Sequence, residues 1–259
     1  MMTFWQNHNG EILLVLQLLG YGAGIALFFL AMIAAAVKYT TAYLGYLRFD
    51  RLAPEEFLAD EKLVKLHQDM EADGFALRQA VRGVSHNPKL EVQTMLYRSS
   101  RHPGLIASAN RARSGDMGEV LYFVDLFQEY ADGDTLTVNN MPYAAIPFIP
   151  QLAVYSVPSA RTVAELCRLH QAIRRKTKLS SPVVPPEDED YADILLPWLG
   201  RQREYLTRLG WVQAGAGIDG RYYYTFKGAI LLAWRTFPFL RGLYVRRRSR
   251  LAYAAADGG

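Results

Sequence analysis

Hydrophobic positions along this chain follow three different patterns. From Ile12 to Val37 no charged residue appears and Gln17 is the sole strongly polar side chain. At 1.5 Å per residue that run makes roughly 39 Å of helix, longer than the roughly 30 Å hydrocarbon core of a bilayer. The pattern predicts a transmembrane helix over residues 12–37, leaving residues 1–11 as a short extracytoplasmic N-terminus. A cleaved signal peptide ending near Ala34-Ala35-Ala36 is the competing reading. It is disfavoured because no Lys or Arg precedes Ile12 and because the run, 26 residues long, goes well beyond the roughly 7 to 15 apolar residues usual in a signal peptide.

From Leu52 onward the pattern turns soluble. Pro54 in a first turn followed by Glu55 and Glu56 predicts a helix that runs to about Asp73 and stops at Gly74. Short β-type runs then follow at Leu90 to Tyr97, Leu105 to Ala109, Glu119 to Gln128 and Thr135 to Val138. The turns Arg113-Ser114-Gly115-Asp116 and Ala131-Asp132-Gly133-Asp134 between them are too short for crossovers, so the strands form an antiparallel meander. Pro142, Pro147, Pro150 and Pro158 confine the next apolar stretch to one edge strand within Ala144 to Val157.

In the last pattern apolar residues recur at helical spacing behind caps. Thr162-Val163-Ala164-Glu165 is a capping box, continued by Leu166, Leu169 and Ile173. Thr177 to Asp190 is rich in Ser, Pro and acid and reads as a linker. Beyond it come a helix through Gln202 to Leu209, a strand at Trp211-Val212, a Gly-rich turn from Ala214 to Gly220, a strand Arg221 to Phe226 and a helix from Lys227. Gly228 is expected to begin that last helix, with Ile230, Leu231 and Trp234 packed on the hairpin. The expected fold class is therefore α+β: one transmembrane helix, an α+β soluble domain over 38–176, a linker over 177–190, a small C-terminal unit over 191–243 and a basic, then flexible tail over 244–259.

Charge adds orientation. No basic residue precedes the apolar run, whereas Lys38, Arg48 and Arg51 follow it, so everything after Lys38 is expected to be cytoplasmic, on the inner membrane. Across the chain 29 Lys+Arg face 25 Asp+Glu. The excess gathers near the end, where Arg235, Arg241, Arg246, Arg247, Arg248 and Arg250 interleave with Trp234 and Phe237. Rings beside arginines suit a bilayer interface with anionic headgroups. These eight residues are the candidate membrane-surface contact. Nucleic acid would accept the same charge but is disfavoured as a partner, because the lipid surface is the nearest polyanion. Gly20 and Gly24 lie on one helix face, a small-xxx-small pair that fits a membrane-protein partner or a second copy of the chain.

Catalytic patterns are not evident. His8, His67, His86, His102 and His170 make no HxH or HExxH pair, so no metal site is expected. Cys167, the single cysteine, sits between Leu166 and Leu169 and reads as a buried filler. Gly215-x-Gly217-x-x-Gly220 has dinucleotide-binding spacing but runs into a strand, which would leave a pyrophosphate without its helix N-terminus. Asp132, Asp134, Asn139 and Asn140 lack the spacing of a calcium loop and are explained by turn chemistry. No catalytic residue, metal or cofactor is assigned.

Two resemblances complete the reading. Tyr222-Tyr223-Tyr224-Thr225-Phe226-Lys227-Gly228 resembles the strand-to-helix step of a winged-helix domain, which implies a nucleic-acid or regulatory role with Arg201, Arg203 and Arg208 as phosphate contacts. Tyr130-Ala131-Asp132-Gly133-Asp134-Thr135-Leu136-Thr137-Val138-Asn139-Asn140 resembles the YADG-x-x-LT-x-x-N hairpin of uncharacterised bacterial membrane-anchored proteins, and Thr225-Phe226-Lys227-Gly228-Ala229 with the arginine run resembles their C-terminal ends. No activity attaches to that family. It implies fold and membrane association. The functional expectation is a non-catalytic accessory or scaffold module of a larger membrane assembly; the alternatives, in order, are a membrane-tethered regulatory or nucleic-acid-binding protein using the winged-helix-like unit and an enzyme with an unrecognised site.

Overall fold

A computed structural model of the chain describes residues 2–40, 46–85, 90–114, 120–142, 148–177, 179–186, 189–216, 221–236 and 238–257. The expected turns at 113–116 and 214–220 lie partly outside the described residues, as do residues 143–147 and 187–188 and the side chains of Phe237, Arg241 and Arg248. The protein is mixed α+β. It has an apolar N-terminal helix α1 (Met2–Thr40) and a seven-stranded sheet.

The strands are β1 (Tyr46–Arg51), β2 (Phe75–Ser85), β3 (Leu90–Ser99), β4 (Ile106–Ser114), β5 (Val120–Glu129), β6 (Thr135–Asn139) and β7 (Leu152–Ser156), lying side by side in chain order. The first six form an antiparallel meander. At the sheet edge, β7 instead pairs parallel with β6. Two strands escape the sequence reading. In β2 a bulge between Leu77 and Gln79 breaks the alternation, so Leu77 and Ala80 reach the same core although three positions separate them. In β1 six residues carry three charges, which hides a short strand.

The expected single helix from Leu52 to Asp73 is two, α2 (Pro54–Phe57) and α3 (Glu61–Ala72). Asp60 divides them. Its side chain accepts hydrogen bonds from the amides of Lys62 and Leu63 and caps a fresh helix. The stop at Gly74 is present, with φ of 82°.

The main core lies between the sheet and helices α3, α4 (Val163–Lys176) and α7 (Pro238–Asp257). Leu63 and Met70 from α3, Leu166 and Ile173 from α4, and Met95, Tyr97, Leu126 and Val138 from the strands are all buried there. At the capping box, Thr162 Oγ1 accepts from the Glu165 amide at 3.1 Å, while Glu165 reaches back to the Arg161 amide, one residue earlier than a standard box.

Residues 244–259, expected to form a flexible tail, are helical as far as Asp257 and dock on this core. Ala252 is fully buried, Tyr253, Ala255 and Ala256 pack beside it, and Tyr253 Oη donates to Glu165 Oε1 at 3.0 Å. Small alanines supply the buried side, and they favour helix while giving little apolar signal.

The linker is pinned where it is described. The Ala131 amide donates to Ser181 O at 3.0 Å, the Val183 amide to Glu129 O at 2.9 Å and Arg98 Nη1 to Pro185 O at 2.7 Å. Arg51 and Gln79 both reach Asp190 at its end. From there α5 (Tyr191–Arg208) crosses the opposite face of the sheet, with Trp198 edge-on to Phe127 at 6.2 Å and Gln202 Oε1 accepting from the Ile149 amide.

A second cluster joins the end of α5 to α6 (Phe226–Thr236). Leu206, Trp211, Val212, Tyr224, Ala229 and Leu232 form its centre, with a bridge between Val212 and Tyr224. Gly228 does not begin the helix as expected. Thr225 Oγ1 accepts from the Gly228 amide at 3.0 Å and caps a helix that starts at Phe226. Consequently Ala229, Leu232 and Ala233 are buried, Ile230 and Leu231 pack partly, and Trp234 is 52% exposed instead of lying on the hairpin. Gly228 serves a close approach: a Cβ there would stand 2.0 Å from Trp211 O.

Candidate functional site

The residues expected to touch a membrane do not form one uniform surface. On α7, Arg246, Arg247 and Arg250 are exposed, and so are Leu243 and Leu251 at 52% and 55%. They share the outward side because Ser249, Ala252, Tyr253 and Ala256 turn toward the core. On α6, Trp234 points outward, but Arg235 stacks over Trp211 at 5.0 Å and serves the fold. The segment α6 lies against both α1 and α7. In α1, the stretch Leu13–Met32 has a mean hydropathy of 2.1, and none of it is buried inside the protein. At Gly20 and Gly24 nothing lies within 4 Å of where a Cβ would be.

The arginines of α5 offered as phosphate contacts are engaged within the protein. Arg201 lies over the Trp198 ring at 4.6 Å and near Glu129 at 3.9 Å, and Arg203 lies over Tyr222 at 4.4 Å. Arg208 is exposed.

Two polar clusters were not visible from the sequence. The first lies where α2 and α3 meet the sheet. Asp60 Oδ2 accepts from Tyr122 Oη at 2.7 Å and lies 3.2 Å from Arg111 Nε, and Arg111 Nη1 donates to Gln93 Oε1 at 3.2 Å. Lys62 Nζ sits over the Tyr122 ring at 4.9 Å. Burial alone would raise the Asp60 carboxyl, but Tyr122, the two capping amides and Arg111 outweigh it and hold the group below the usual carboxylate range. These residues line an open cleft. Because Asp60 already serves as cap, acceptor and ion-pair partner, the arrangement suits joining α3 to the sheet better than proton transfer.

The second cluster runs across β3 to β7 on the side facing α5. Register pairs Thr94 with Asn110, Ser108 with Asp125, Asp125 with Asn139, and Asn139 with Ser156. Asn110 joins the row: its Oδ1 accepts from Thr94 Oγ1 at 2.7 Å, and its Nδ2 donates to Ser108 Oγ at 2.8 Å and Asp125 Oδ2 at 3.0 Å. Burial pushes the Asp125 carboxyl up to about 7, against a hydrogen bond with Asn139 that favours the charged form. Asp125 lines neither the cleft beside Asp60 nor a second one between Arg98 and Pro185, so a shifted carboxyl and a ligand space do not coincide.

Among the other titrating groups, His170 is buried on α4. Burial, with help from nearby Arg174 and His102, holds it neutral by lowering its pKa to about 3. Burial also raises the Cys167 thiol to about 12, aided by Asp73, so it carries no nucleophilic thiolate near neutrality. Among the described residues there is no group of three or more His, Cys, Asp or Glu that could hold a metal ion.

No protein-family model matches the chain, and comparison with curated proteins and with solved structures finds no match either.

Proposed function

We propose that this chain is a membrane-tethered, non-catalytic module that acts as an accessory or scaffold subunit of a larger membrane assembly. The observation that carries the reading is α1, whose Leu13–Met32 stretch is strongly apolar yet wholly outside the core. A core helix of a soluble protein would bury that surface; exposed to water it would cost about 25 cal/mol for each Å². In this reading the N-terminus faces outward and the sheet lies on the cytoplasmic side, an orientation supported by Lys38, Arg48 and Arg51 after the helix. Gly20 and Gly24 then offer a close-packing face to a partner helix or a second copy.

The outward side of α7 supplies the second membrane contact, each arginine adding about 1 kcal/mol near anionic headgroups. The unit formed by α5, the bridged hairpin and α6 belongs here to the winged-helix type, but stacking of Arg201 and Arg203 on aromatic rings supports a packing role over nucleic-acid contact.

Fractionation tests the anchor. The full chain should remain with membranes through an alkaline carbonate wash and leave only in detergent, and a reporter fused after Gly259 that is active only when exported should stay silent. Release by carbonate, or an active reporter, would overturn the anchor or its orientation respectively.

A further inference from the structure

Charge divides the layer of helices that covers the main core. Following the sheet, α2 and α3 lie over β2 to β4, α4 over β5 and β6, and α7 over β7. Residues 54–72 hold six acids against two lysines, whereas α4 holds four bases against Glu165 alone and α7 five arginines against Asp257 alone. The layer is therefore acidic at one end and basic at the other. Glu165 is already occupied within the fold, its carboxylate accepting from Tyr253 Oη at 3.0 Å and from the Arg161 amide at 3.1 Å.

At the basic end the two helices pack side by side. Val163, Leu166, Leu169 and Ile173 hold α4 on the core, so Arg168 and Arg175, two turns apart on its other side, are exposed with Lys176 beside them. On the adjoining α7, Arg246, Arg247 and Arg250 face outward. Among the described residues none of these six bases pairs with an acid. Like charges gathered in this way repel one another, and a polyanion relieves that repulsion. Two features select a lipid surface over nucleic acid. Leu243 and Leu251 stand exposed among the arginines of α7, and the headgroup layer takes up such side chains where a phosphate backbone would leave them in water. A continuous row of helices also runs from the apolar α1 through α6 and α7 to α4, so a bilayer around α1 is the polyanion held at the highest local concentration.

We propose that the outer faces of α4 and α7 form one docking surface for an anionic lipid leaflet, on which the soluble part lies with α4 down and the acidic α3 turned away. The proposal extends the membrane contact of α7 and rests on α1 as the anchor for which membrane is met, though the attraction itself needs no anchor. The full chain carrying Cys167→Ala and either Ala164→Cys on the outer side of α4 or Gln68→Cys on α3 is labelled with a donor dye and reconstituted in vesicles bearing a headgroup acceptor dye. The vesicles are neutral phosphatidylcholine, or the same lipid with phosphatidylglycerol. Energy transfer at position 164 should rise with the anionic lipid and return to the neutral value in 1 M salt, where the Debye length shrinks from about 10 Å to about 3 Å, while position 68 shows no rise. Neutralising three bases together, Arg168→Gln, Arg175→Gln and Lys176→Gln, should lower the ratio of docked to undocked protein by about a hundredfold, with the far-ultraviolet circular dichroism of the parent. Carbonate extraction of the same vesicles reads the anchor separately. If the chain is released, the anchor fails, and flotation with anionic but not neutral vesicles still reads the docking surface. Equal transfer at 164 in both lipids, a rise that survives salt, an equal rise at 68, a folded triple variant that docks like the parent, or binding of a single-stranded oligonucleotide without any response to lipid would each overturn the proposal.

Discussion

On the face of the sheet covered by α3, α4 and α7, the strands present Met95, Tyr97, Ala107, Ala109, Val124, Leu126 and Val138, whereas toward α5 the same strands present Thr94, Ser108, Asn110, Asp125 and Asn139. Both sets are largely buried. One face gains from the removal of apolar area, and its strength scales with contact and volume. The other is held by mutual satisfaction, so each member matters chiefly through what its loss leaves unpaired. That second face is not wholly polar, since Val92, Ala112 and Phe123 form a small buried cluster on it beside the polar row, so a sheet can be closed on a side where the two kinds of contact are mixed.

Truncation should separate the two faces most clearly. Leu126→Ala on the apolar face is expected to lower unfolding free energy by about 3 to 4 kcal/mol, since the side chain is fully buried and leaves a cavity. Asn110→Ala on the polar face should cost about 2 kcal/mol by stranding Thr94 and Asp125. Denaturant unfolding in detergent reads both, and a smaller loss for Leu126→Ala than for Asn110→Ala would break the distinction.

Acidity should act with opposite sign on the two faces. His170, on a helix covering the apolar face, has its folded pKa lowered from 6.5 to about 3, so its contribution is present above 6.5 and is lost as pH falls toward 3. Asp125 is raised from 3.8 to about 7, so its contribution is present below 3.8 and is lost as pH rises toward 7. Each gives a slope of about 1.4 kcal/mol per pH unit, and the two oppose each other between 3.8 and 6.5. His170→Leu should therefore leave stability falling as pH rises through that window, and Asp125→Asn should leave it rising. Parallel profiles for the two variants would refute the pairing.

The smallest effect is expected at the rim of the apolar face. Tyr122→Phe removes one hydrogen bond to Asp60 and should cost about 1 kcal/mol, with the Asp60 carboxyl titrating at a higher pH in nuclear magnetic resonance. An unchanged titration would show that the capping amides and Arg111 hold Asp60 without help.

Much of the apolar face could be read in advance. The alternation in β3 to β6 and the Thr162 capping box appear in the sequence because a single neighbourhood decides them. Strand β2 was hidden by its bulge, and the docking of α7 by alanines that carry little hydropathy. The polar row was illegible for another reason: Thr94, Ser108, Asn110 and Asp125 alternate with apolar residues as they would on a water-exposed face, and the helix on that side of the sheet, α5, is distant in sequence. As for candidate sites, the arginines showed as charge, but not the stacking that occupies Arg235. The cleft beside the linker joins Ala76 and Arg98 to Pro185, segments that no local spacing connects.

The docking of α7 also bears on how the protein is made. Tyr253 must find Glu165, 88 residues earlier, before the main core is closed. At the usual 5 to 20 residues per second of synthesis, roughly 4 to 18 seconds separate the two. During that interval the sheet, α3 and α4 can gather, yet the surface reserved for Ala252 stays open. A nascent chain therefore exposes an unfinished apolar seam, the state in which aggregation or capture by chaperones competes with completion.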